Sequence, residues 1–530
     1  MKTIKTYIYK AFTVAALLVG MGACTADLDQ YPHTETTSQN VYTTVENYEA
    51  VLGKIYAAMV TNGQGKGGEN SDLSSNMGYD YMRCFFNLQE AGTDEVASTW
   101  LTGDKTTDIT YLSWDADDPW VADMYYRIYW NITLTNEFLR NCGDEKIGSF
   151  SESDQKNLRR YRAEARFMRA LFYYHALDLY RDIPFVSEND PVGSYTPPRY
   201  TPQQTFDFIE YELKDAVTDL APAESCPYGE ASQGAAYTLL AKLYLNAKTY
   251  IGTEKYTECI DACQKAMAQG YSLEKDYAKL FNADNDKRTN EIIFALPVDP
   301  VHTVSWGSTT YVICGEVSNT SADQVPSDYG VVVGWGMFRA RGELPAMFSD
   351  GDKDKRYMFF TTNQTQYLDA IDDQTNGYFV EKWTNVTDDG KAASNSSADG
   401  CDTDWPMFRL ADVYLMYAEA VLRGGTGGVR HEALNYVNEL RSRAYGDDSG
   451  NITDGQLTLS FILNERAREL YWEGTRRTDL IRYGLFTTSD YLWQWKGGVK
   501  DGAAVDSKYN VYPIPSTELT ANPNLKNENY

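Results

Sequence analysis

Apolar side chains that recur every three to four residues constrain this chain of 530 residues more than any other sequence feature. The longest stripe follows Ser153 or Asp154, either of which is a predicted N-cap. Its members are Leu158, Tyr161, Ala165, Met168, Phe172, Ala176 and Leu179. This spacing places them on one face of an α-helix. Pro119 and Pro202 predict two further helix starts, because proline suits the first helical position.

Two pairs of neighbouring helical segments carry the small and large side chains that are typical of tetratricopeptide repeats. The first pair comprises residues 231–250 and 253–270, and the second comprises residues 407–425 and 431–445. Small residues at fixed positions allow neighbouring helices to approach closely. The predicted fold class is mainly α, with a tetratricopeptide-repeat-like helical scaffold, long loops and a few short strands.

The scaffold is predicted to be discontinuous, covering about 40–270 and 406–485. Between them, residues 271–405 are rich in Gly, Asn, Thr, Ser and Asp, and helical periodicity fades. Short β-branched runs occur there as EIIFAL (291–296), YVIC (311–314) and VVVGW (331–335). Loops held by a rigid scaffold often carry binding residues. We therefore expect this insert to bind the ligand.

The N-terminus predicts export. Three lysines precede an apolar stretch at residues 11–23, which is too short for a membrane-spanning helix and is typical of a signal-peptide core. Small residues directly before Cys24 indicate a bacterial lipoprotein signal peptide at residues 1–23, with Cys24 as the lipidated residue. The rest of the chain, residues 24–530, is predicted to form one domain. An ordinary secretory signal with an incidental cysteine is the alternative.

The charge of the chain excludes one class of partner. With 75 acidic against 48 basic residues the net charge is −27, whereas nucleic-acid binding requires a basic surface. The acidity favours solubility. Aromatic residues make up 14% of the chain, and their rings serve either a core or a ligand platform.

Several segments together resemble the SusD/RagB family of Bacteroidetes outer-membrane lipoproteins. They are AEARFMRALFYYHALDLYRDIPF, FSDGDKDKR, DTDWPMFRLADVYLMYAEA, ALNYVNELRSRA, ILNERARELYWEGTRRTDLIRYG and the closing YNVYPIPSTELTANPNLKNENY. The similarity is greatest to the starch-binding members. It implies a lipid-anchored cell-surface protein without catalysis or a required cofactor, which caps a SusC-like TonB-dependent transporter and delivers glycan to it.

The resemblance also implies a binding site. Trp100, Tyr311 and Trp335 match an arc of aromatic rings that holds glycan in the starch-binding members, and Arg83 matches an arginine that bonds sugar hydroxyls. Rings set along a curve can stack on the apolar faces of successive sugars of a curled α-glucan. Core packing of the rings is the alternative.

One position departs from the family pattern, and two aspartates match a possible metal site of the family. An asparagine of the starch-binding members falls on Gly103 here, so Asp104 or Thr102 is expected to substitute for it. Asp402 and Asp404 resemble residues that hold a structural calcium ion in the starch-binding member. A solvated acidic turn explains the two aspartates equally well.

The predicted function is the capture of starch or other α-glucan oligosaccharides at the cell surface. One alternative is the same fold with another glycan, such as dextran or a host polysaccharide. A glycoside hydrolase is an alternative of a different class, since paired acids such as Asp94 and Glu95 occur. A third alternative is a scaffold that binds only protein.

Overall fold

The computed structural model of the chain describes residues 41–65, 71–73, 80–193, 195–320, 323–397, 400–528 and 530. Helices dominate these residues. In chain order they are α1 (Val45–Ala57), α2 (Tyr81–Phe86), α3 (Thr107–Tyr111), α4 (Pro119–Arg140), α5 (Asp144–Gly148), α6 (Glu152–Tyr180), α7 (Pro202–Ala216), α8 (Gln233–Leu245), α9 (Ala247–Ile251), α10 (Tyr256–Met267), α11 (Ser308–Glu316), α12 (Glu343–Ala346), α13 (Leu410–Leu422), α14 (Arg430–Tyr445), α15 (Leu459–Leu470), α16 (Arg476–Arg482) and α17 (Ser516–Ala521). The predicted mainly α fold class is confirmed.

The two predicted helix pairs are present. α8 packs against α10, and α13 packs against α14. α10 also packs against α13, although residues 268–409 separate them in sequence. The small side chains of Ala241, Cys259 and Cys263 are buried, and they allow these helices to approach closely. Two distant parts of the chain therefore build one scaffold.

Helix starts follow local capping chemistry. Pro119 and Pro202 occupy the first positions of α4 and α7, as predicted. The predicted cap of α6 is wrong, because the side chain of Ser151, rather than that of Ser153, accepts a hydrogen bond from the backbone N–H of Asp154. The start of α6 thus lies before the apolar stripe, at a serine in extended backbone conformation.

Eight short strands occur in the described residues and pair as four antiparallel two-stranded sheets. β1 (Val96–Ser98) pairs with β5 (Phe338–Ala340), β2 (Ile183–Pro184) with β3 (Arg199–Tyr200), β4 (Ile292–Leu296) with β8 (Trp405–Arg409), and β6 (Phe359–Phe360) with β7 (Phe379–Val380). Of the three β-branched runs, EIIFAL contains β4, whereas YVIC lies in α11 and VVVGW forms no strand. Every residue of α11 is buried, and such tertiary packing overrides the weak local preference of β-branched residues.

A set of buried ion pairs, called here the Arg–Glu network, connects the end of β8 to α14 and α15. Its members are Arg356, Arg409, Arg443, Glu291, Glu465, Glu469 and Glu473. Arg409 donates to Glu291 at 2.8 Å, to Glu469 at 3.0 Å and to both carboxylate oxygens of Glu473 at 2.8 Å. Each charge in the network is therefore paired within hydrogen-bonding distance, as burial of charge requires.

The chain divides into two compact units, residues 1–49 and residues 50–530. In the first unit the structure describes residues 41–49, where the rings of Tyr42 and Tyr48 lie 5.0 Å apart. The second unit contains the paired helices, the sheets and the Arg–Glu network. Among the described residues, no helix combines the length and the apolar character that crossing a membrane requires. The predicted lipidation residue, Cys24, lies outside the described residues.

Candidate functional site

The pairing of β1 with β5 brings two predicted site residues together across the sequence. Trp100 follows β1, and Trp335 precedes β5. Beyond the strand, the backbone N–H of Thr99 donates to the carbonyl of Met337 at 2.8 Å, and its hydroxyl donates to the carbonyl of Gly336 at 3.1 Å. The antiparallel register thus places the two tryptophans side by side.

Backbone contacts hold Trp335 against α11. Its N–H donates to the carbonyl of Cys314 at 2.7 Å, so a carbonyl at the end of α11 finds a partner outside the helix. The neighbouring glycines permit this approach. A Cβ on Gly334 would lie 2.5 Å from the carbonyl oxygens of Val317 and Ser318, and Gly336 has a positive φ of 59°. The position of Trp335 therefore depends on both glycines.

Trp100 and Trp335, called here the tryptophan pair, form a partly exposed aromatic surface. Their ring centroids lie 6.1 Å apart, and their planes are inclined by 27°. Two aromatic faces at such a spacing offer neighbouring apolar platforms to a flat ligand. The tryptophan pair therefore meets the geometric requirement for stacking against two units of a chain.

Behind the tryptophan pair lie Arg83, Asp104 and Tyr311, called here the Arg83 cluster. Nη2 of Arg83 donates to the two carboxylate oxygens of Asp104 at 3.1 and 3.0 Å. The guanidinium carbon lies 4.0 Å from the centroid of the Tyr311 ring, which is a cation–π contact. The Tyr311 hydroxyl donates to Asn87 at 3.0 Å. Exposed fractions are 2% for Arg83, 4% for Asp104 and 0% for Tyr311, so the Arg83 cluster is buried.

Burial sets the protonation behaviour of Asp104. Desolvation raises the pKa of its carboxyl group, and the charge of Arg83 and the hydrogen bonds from Arg83 and Tyr311 offset this only in part. A single guanidinium therefore does not restore the ordinary pKa of this buried carboxyl. The Arg83 cluster is nevertheless electrically balanced when both groups are charged.

An exposed tryptophan, Trp306, adjoins the Arg83 cluster. Its carbonyl accepts a hydrogen bond from Nη1 of Arg83 at 2.8 Å, and its side chain is 42% exposed. The carboxylate of Asp80 accepts hydrogen bonds from the Ser305 hydroxyl and the Ser308 N–H. A Cβ on Gly307 would lie 2.0 Å from that carboxylate, so only glycine fits. These contacts fix the loop that carries Trp306.

Sequence reasoning missed Trp306, although a tryptophan between serine and glycine in the loop-rich insert was the available signal. It also placed Tyr311 in a short β-branched run of the loop-rich insert, whereas Tyr311 lies on α11. The five predicted glycan-binding residues are nevertheless brought together. Of the two candidates for the missing asparagine, Asp104 contacts Arg83, and Thr102 lies exposed on the preceding turn.

Asp404, one of the two predicted calcium ligands, is engaged by hydrogen bonds within the protein. Both of its carboxylate oxygens face hydrogen-bond donors, the Val298 N–H at 2.8 Å and the Tyr228 hydroxyl at 2.7 Å. Burial raises its pKa to about 7. Calcium instead requires six to eight oxygen ligands. No group of three potential metal-ligating His, Cys, Asp or Glu side chains occurs in the part of the chain that the structure describes. The role of Asp402 and Asp404 stays a prediction.

The acids that raised the hydrolase alternative are inaccessible. Asp94 is 0% exposed and accepts hydrogen bonds from Nε and Nη2 of Arg476 at 2.7 and 2.6 Å. Glu95 is 1% exposed, and its carboxylate accepts a hydrogen bond from the Trp472 N–H at 3.1 Å. Glycosidase carboxyls must flank the scissile bond of the sugar. Neither carboxyl can reach a polysaccharide from these positions.

Comparisons with known proteins agree along the whole chain. A sequence model described as the SusD family matches residues 238–530. A second, described as starch-binding and associating with the outer membrane, matches residues 28–245. The starch-binding protein SusD of Bacteroides thetaiotaomicron is 33% identical over 99% of this chain and 98% of its own length.

Solved structures share the fold. A SusD homologue from Bacteroides thetaiotaomicron VPI-5482 superposes with a TM-score of 0.73 and 22% identity, covering 93% of this chain and 98% of the homologue. A laminarin-binding SusD-like protein superposes with a TM-score of 0.66 and 21% identity, covering 92% of this chain and 100% of its own. The helical scaffold and its loop-rich insert are therefore a known arrangement.

Proposed function

This chain belongs to the SusD family, and we propose that it captures α-glucan oligosaccharides such as those of starch at the cell surface and delivers them to a SusC-like TonB-dependent transporter. The tryptophan pair is the observation that carries the proposal. Two neighbouring indole faces suit the apolar faces of successive pyranose rings. Their inclination of 27° suits a chain that curves, as α-linked glucans do.

Trp306 is the third ring of the proposed platform. Tyr311 is fully buried, so its ring supports the platform from behind through Arg83, which donates to the Trp306 carbonyl. Removal of a ring that stacks on a ligand deletes buried apolar contact, and such central aromatic residues dominate binding free energies. The glycan therefore rests on Trp100, Trp335 and Trp306.

The charge of the site favours a neutral glycan. The guanidinium of Arg83 is paired with the carboxylate of Asp104, so the pair offers a ligand no net charge. The net charge of −27 would also repel a uronic or sulfated polysaccharide. Both observations support starch or dextran over an acidic host polysaccharide. The curvature of the platform supports starch over dextran.

The family relationship and the starch-binding relative support association with the outer membrane. The lipid on Cys24 is part of the proposal. In this arrangement the protein acts as a binding lid and performs no hydrolysis. Pull-down with the cognate β-barrel transporter tests the lid role. Thin-layer chromatography of maltoheptaose after incubation tests the absence of catalysis, because any shortened product would contradict it.

Calorimetry tests the ligand and the platform together. We expect maltoheptaose and β-cyclodextrin to bind, with isomaltoheptaose and laminariheptaose at least tenfold weaker. Trp100→Ala and Trp335→Ala should each weaken maltoheptaose binding at least tenfold, since loss of a hot-spot ring typically costs about 2 kcal/mol.

Tyr211→Ala is the matched control, because Tyr211 is 61% exposed on α7 and lies outside the platform. Its affinity should equal that of the wild type. If isomaltoheptaose bound more tightly than maltoheptaose, dextran would replace starch as the ligand. If both tryptophan variants retained full affinity, the proposed platform would be wrong.

A further inference from the structure

One face of α4 forms the floor of a second aromatic groove, which has no role in the proposed capture site. Tyr126, Tyr129, Trp130 and Thr133 line it, and their spacing of three and four residues places them on one helical face. The three aromatic side chains are partly exposed. Beneath them the buried ring of Tyr125 packs 4.6 Å from that of Tyr129. This row of rings is called here the α4 groove.

Two other segments form the walls. One is the stretch from β2 towards β3, which contributes Pro184, Tyr195 and Pro197, and the other is α17 with Glu518. The groove has a volume of about 380 Å³, which lies within the range of small-ligand sites.

Hydrogen bonds connect these walls to the floor. The Tyr129 hydroxyl donates to the Pro184 carbonyl at 2.7 Å, and the Tyr126 hydroxyl lies 2.6 Å from that of Thr517. Asn522 Nδ2 donates to the Pro197 carbonyl at 3.0 Å. The groove is therefore held open by its own contacts, and a ligand need not pay much ordering entropy to enter it.

The lining defines the chemistry of the ligand. Aromatic faces accept the apolar faces of sugars, while the Glu518 carboxyl and Thr196 offer hydrogen bonds to sugar hydroxyls. Among the described lining residues there is no Lys or Arg. The Glu518 carboxyl is partly shielded from water within the groove, and this burial raises its pKa. An acidic ligand would meet no compensating charge.

The α4 groove is separate from the tryptophan pair. Trp120, in the first turn of α4, donates through its indole N–H to the carbonyl of Asp104 at 2.8 Å and so marks the edge of the Arg83 cluster. Trp130 lies ten residues further along α4, about 15 Å along the helix axis. The two aromatic surfaces share no lining residue.

We propose that the α4 groove is a second binding site for a neutral oligosaccharide. Such a site gives a long polysaccharide two attachment points on one protein, and the second attachment then occurs at high effective concentration. We expect the groove to bind short oligosaccharides with a Kd on the order of 1 mM.

The test uses the full chain with the capture site removed, Trp100→Ala/Trp335→Ala. Saturation-transfer NMR and calorimetry are run with maltoheptaose, isomaltoheptaose, laminariheptaose and mannohexaose. We expect at least one of these sugars to bind this variant. Adding Trp130→Ala should weaken that binding at least fivefold, whereas Trp130→Phe, which keeps an aromatic face, should largely retain it.

Tyr195→Ala provides a second variant whose ring lies in a connecting segment rather than in a helix, and it should also weaken binding. The proposal is overturned if none of the four sugars binds the Trp100→Ala/Trp335→Ala protein, as expected for a groove that only contacts protein. It is also overturned if Trp130→Ala and Tyr195→Ala leave the residual binding unchanged. Equal binding by the wild type and by Trp100→Ala/Trp335→Ala would instead contradict the proposed platform while leaving the α4 groove standing.

Discussion

The Arg83 cluster and the Arg–Glu network both bury guanidinium groups against carboxylates, but the balance of charge differs. In the network, Glu469 accepts hydrogen bonds from Arg356, Arg409 and Arg443. In the Arg83 cluster, Asp104 meets one arginine. Desolvation raises the pKa of both carboxyls. Three guanidiniums reverse this for Glu469, whose pKa falls to about 2, whereas one does not for Asp104, whose pKa stays raised.

This difference separates a structural ion cluster from one beside a binding surface. Glu469 stays ionised throughout the physiological range, so the network fixes β8, α14 and α15 relative to one another. The pKa of Asp104 is raised by burial, and its carboxylate is connected through Arg83 to the loop of Trp306. Buried ion pairs stabilise a fold only when every charge is compensated. Removal of a compensating arginine should therefore cost more stability in the network than in the Arg83 cluster.

Arg409→Met should have the largest effect. It leaves Glu473 and Glu469 with fewer cationic partners in a buried site, and breaking a buried pair from one side costs about 3–5 kcal/mol. Urea unfolding should show this loss in the free energy of unfolding. Arg430→Ala is the control, since the Arg430–Asp454 pair is exposed and its loss should cost under about 1 kcal/mol. Equal losses in the two variants would contradict the structural role of the network.

Acid should unfold the protein through the carboxylates whose pKa is lowered. The arginines around Glu469 and Glu419 outweigh burial and hold both pKa values at about 2, below the ordinary value of 4.5. Each group therefore contributes stability above pH 4.5, which is lost as the pH falls towards 2. The expected loss is on the order of 3 kcal/mol for each group.

Urea midpoints at pH 7, 4.5, 3 and 2 measure this loss. Glu419→Gln removes one of these titrating groups, so the stability of the variant should fall less steeply over the same interval even though its stability at pH 7 is lower. A flat profile between pH 4.5 and pH 2 would show that these carboxylates are not held ionised by their arginines.

Arg83→Met should destabilise the protein less than Arg409→Met but should weaken glycan binding more. It removes hydrogen bonds to Asp104 and to the Trp306 carbonyl, for a loss of about 1–3 kcal/mol, because Asp104 can take up a proton once its partner is gone. Release of the Trp306 loop should weaken maltoheptaose binding at least tenfold by calorimetry. Arg409→Met, at a temperature where it remains folded, should bind maltoheptaose normally. If Arg409→Met weakened maltoheptaose binding and Arg83→Met did not, the Arg–Glu network rather than the Arg83 cluster would support the platform.

The helices and the binding surface differ in how far the sequence alone predicts them. Helix pairs and the starts at Pro119 and Pro202 follow from local periodicity and capping, so they were predictable. The contact of Trp100 with Trp335 depends on two three-residue strands, β1 and β5, far apart in the chain. Nothing in either short run specifies the other as its partner. The family resemblance, rather than the local pattern, brought these residues into one predicted site.

Burial was the second limit of sequence reasoning. Tyr311 lies in a β-branched run that indicates a strand, yet the packing around α11 makes it helical and removes its ring from solvent. Trp306 is exposed because Asp80, Ser305 and Gly307 pin its loop from behind. Which tryptophan or tyrosine faces solvent is decided by such long-range contacts. Residue type alone therefore identified the aromatic character of the site but not its exposed members.

Asp104→Asn should have the smallest effect and addresses the comparison most directly. Because the pKa of Asp104 is raised, its stabilising contribution is fully present below its unfolded pKa and is lost as the pH rises through the folded value. A neutral isostere removes the desolvation cost of the carboxylate but leaves Arg83 without a counter-charge, so the free energy of unfolding at pH 7 should fall by about 1 kcal/mol. Wild-type affinity for maltoheptaose should fall by up to about threefold from pH 7 to pH 4, as protonation of Asp104 loosens its hold on Arg83.

The Asp104→Asn variant should bind maltoheptaose with the same affinity at both pH values. Asp402→Asn is the matched control, because Asp402 is a partly buried aspartate with a raised pKa outside the Arg83 cluster, and it should keep the wild-type pH dependence. If Asp104→Asn kept that dependence as well, the titrating group would lie elsewhere. The Arg83 cluster would then resemble the Arg–Glu network in holding the fold without responding to protons.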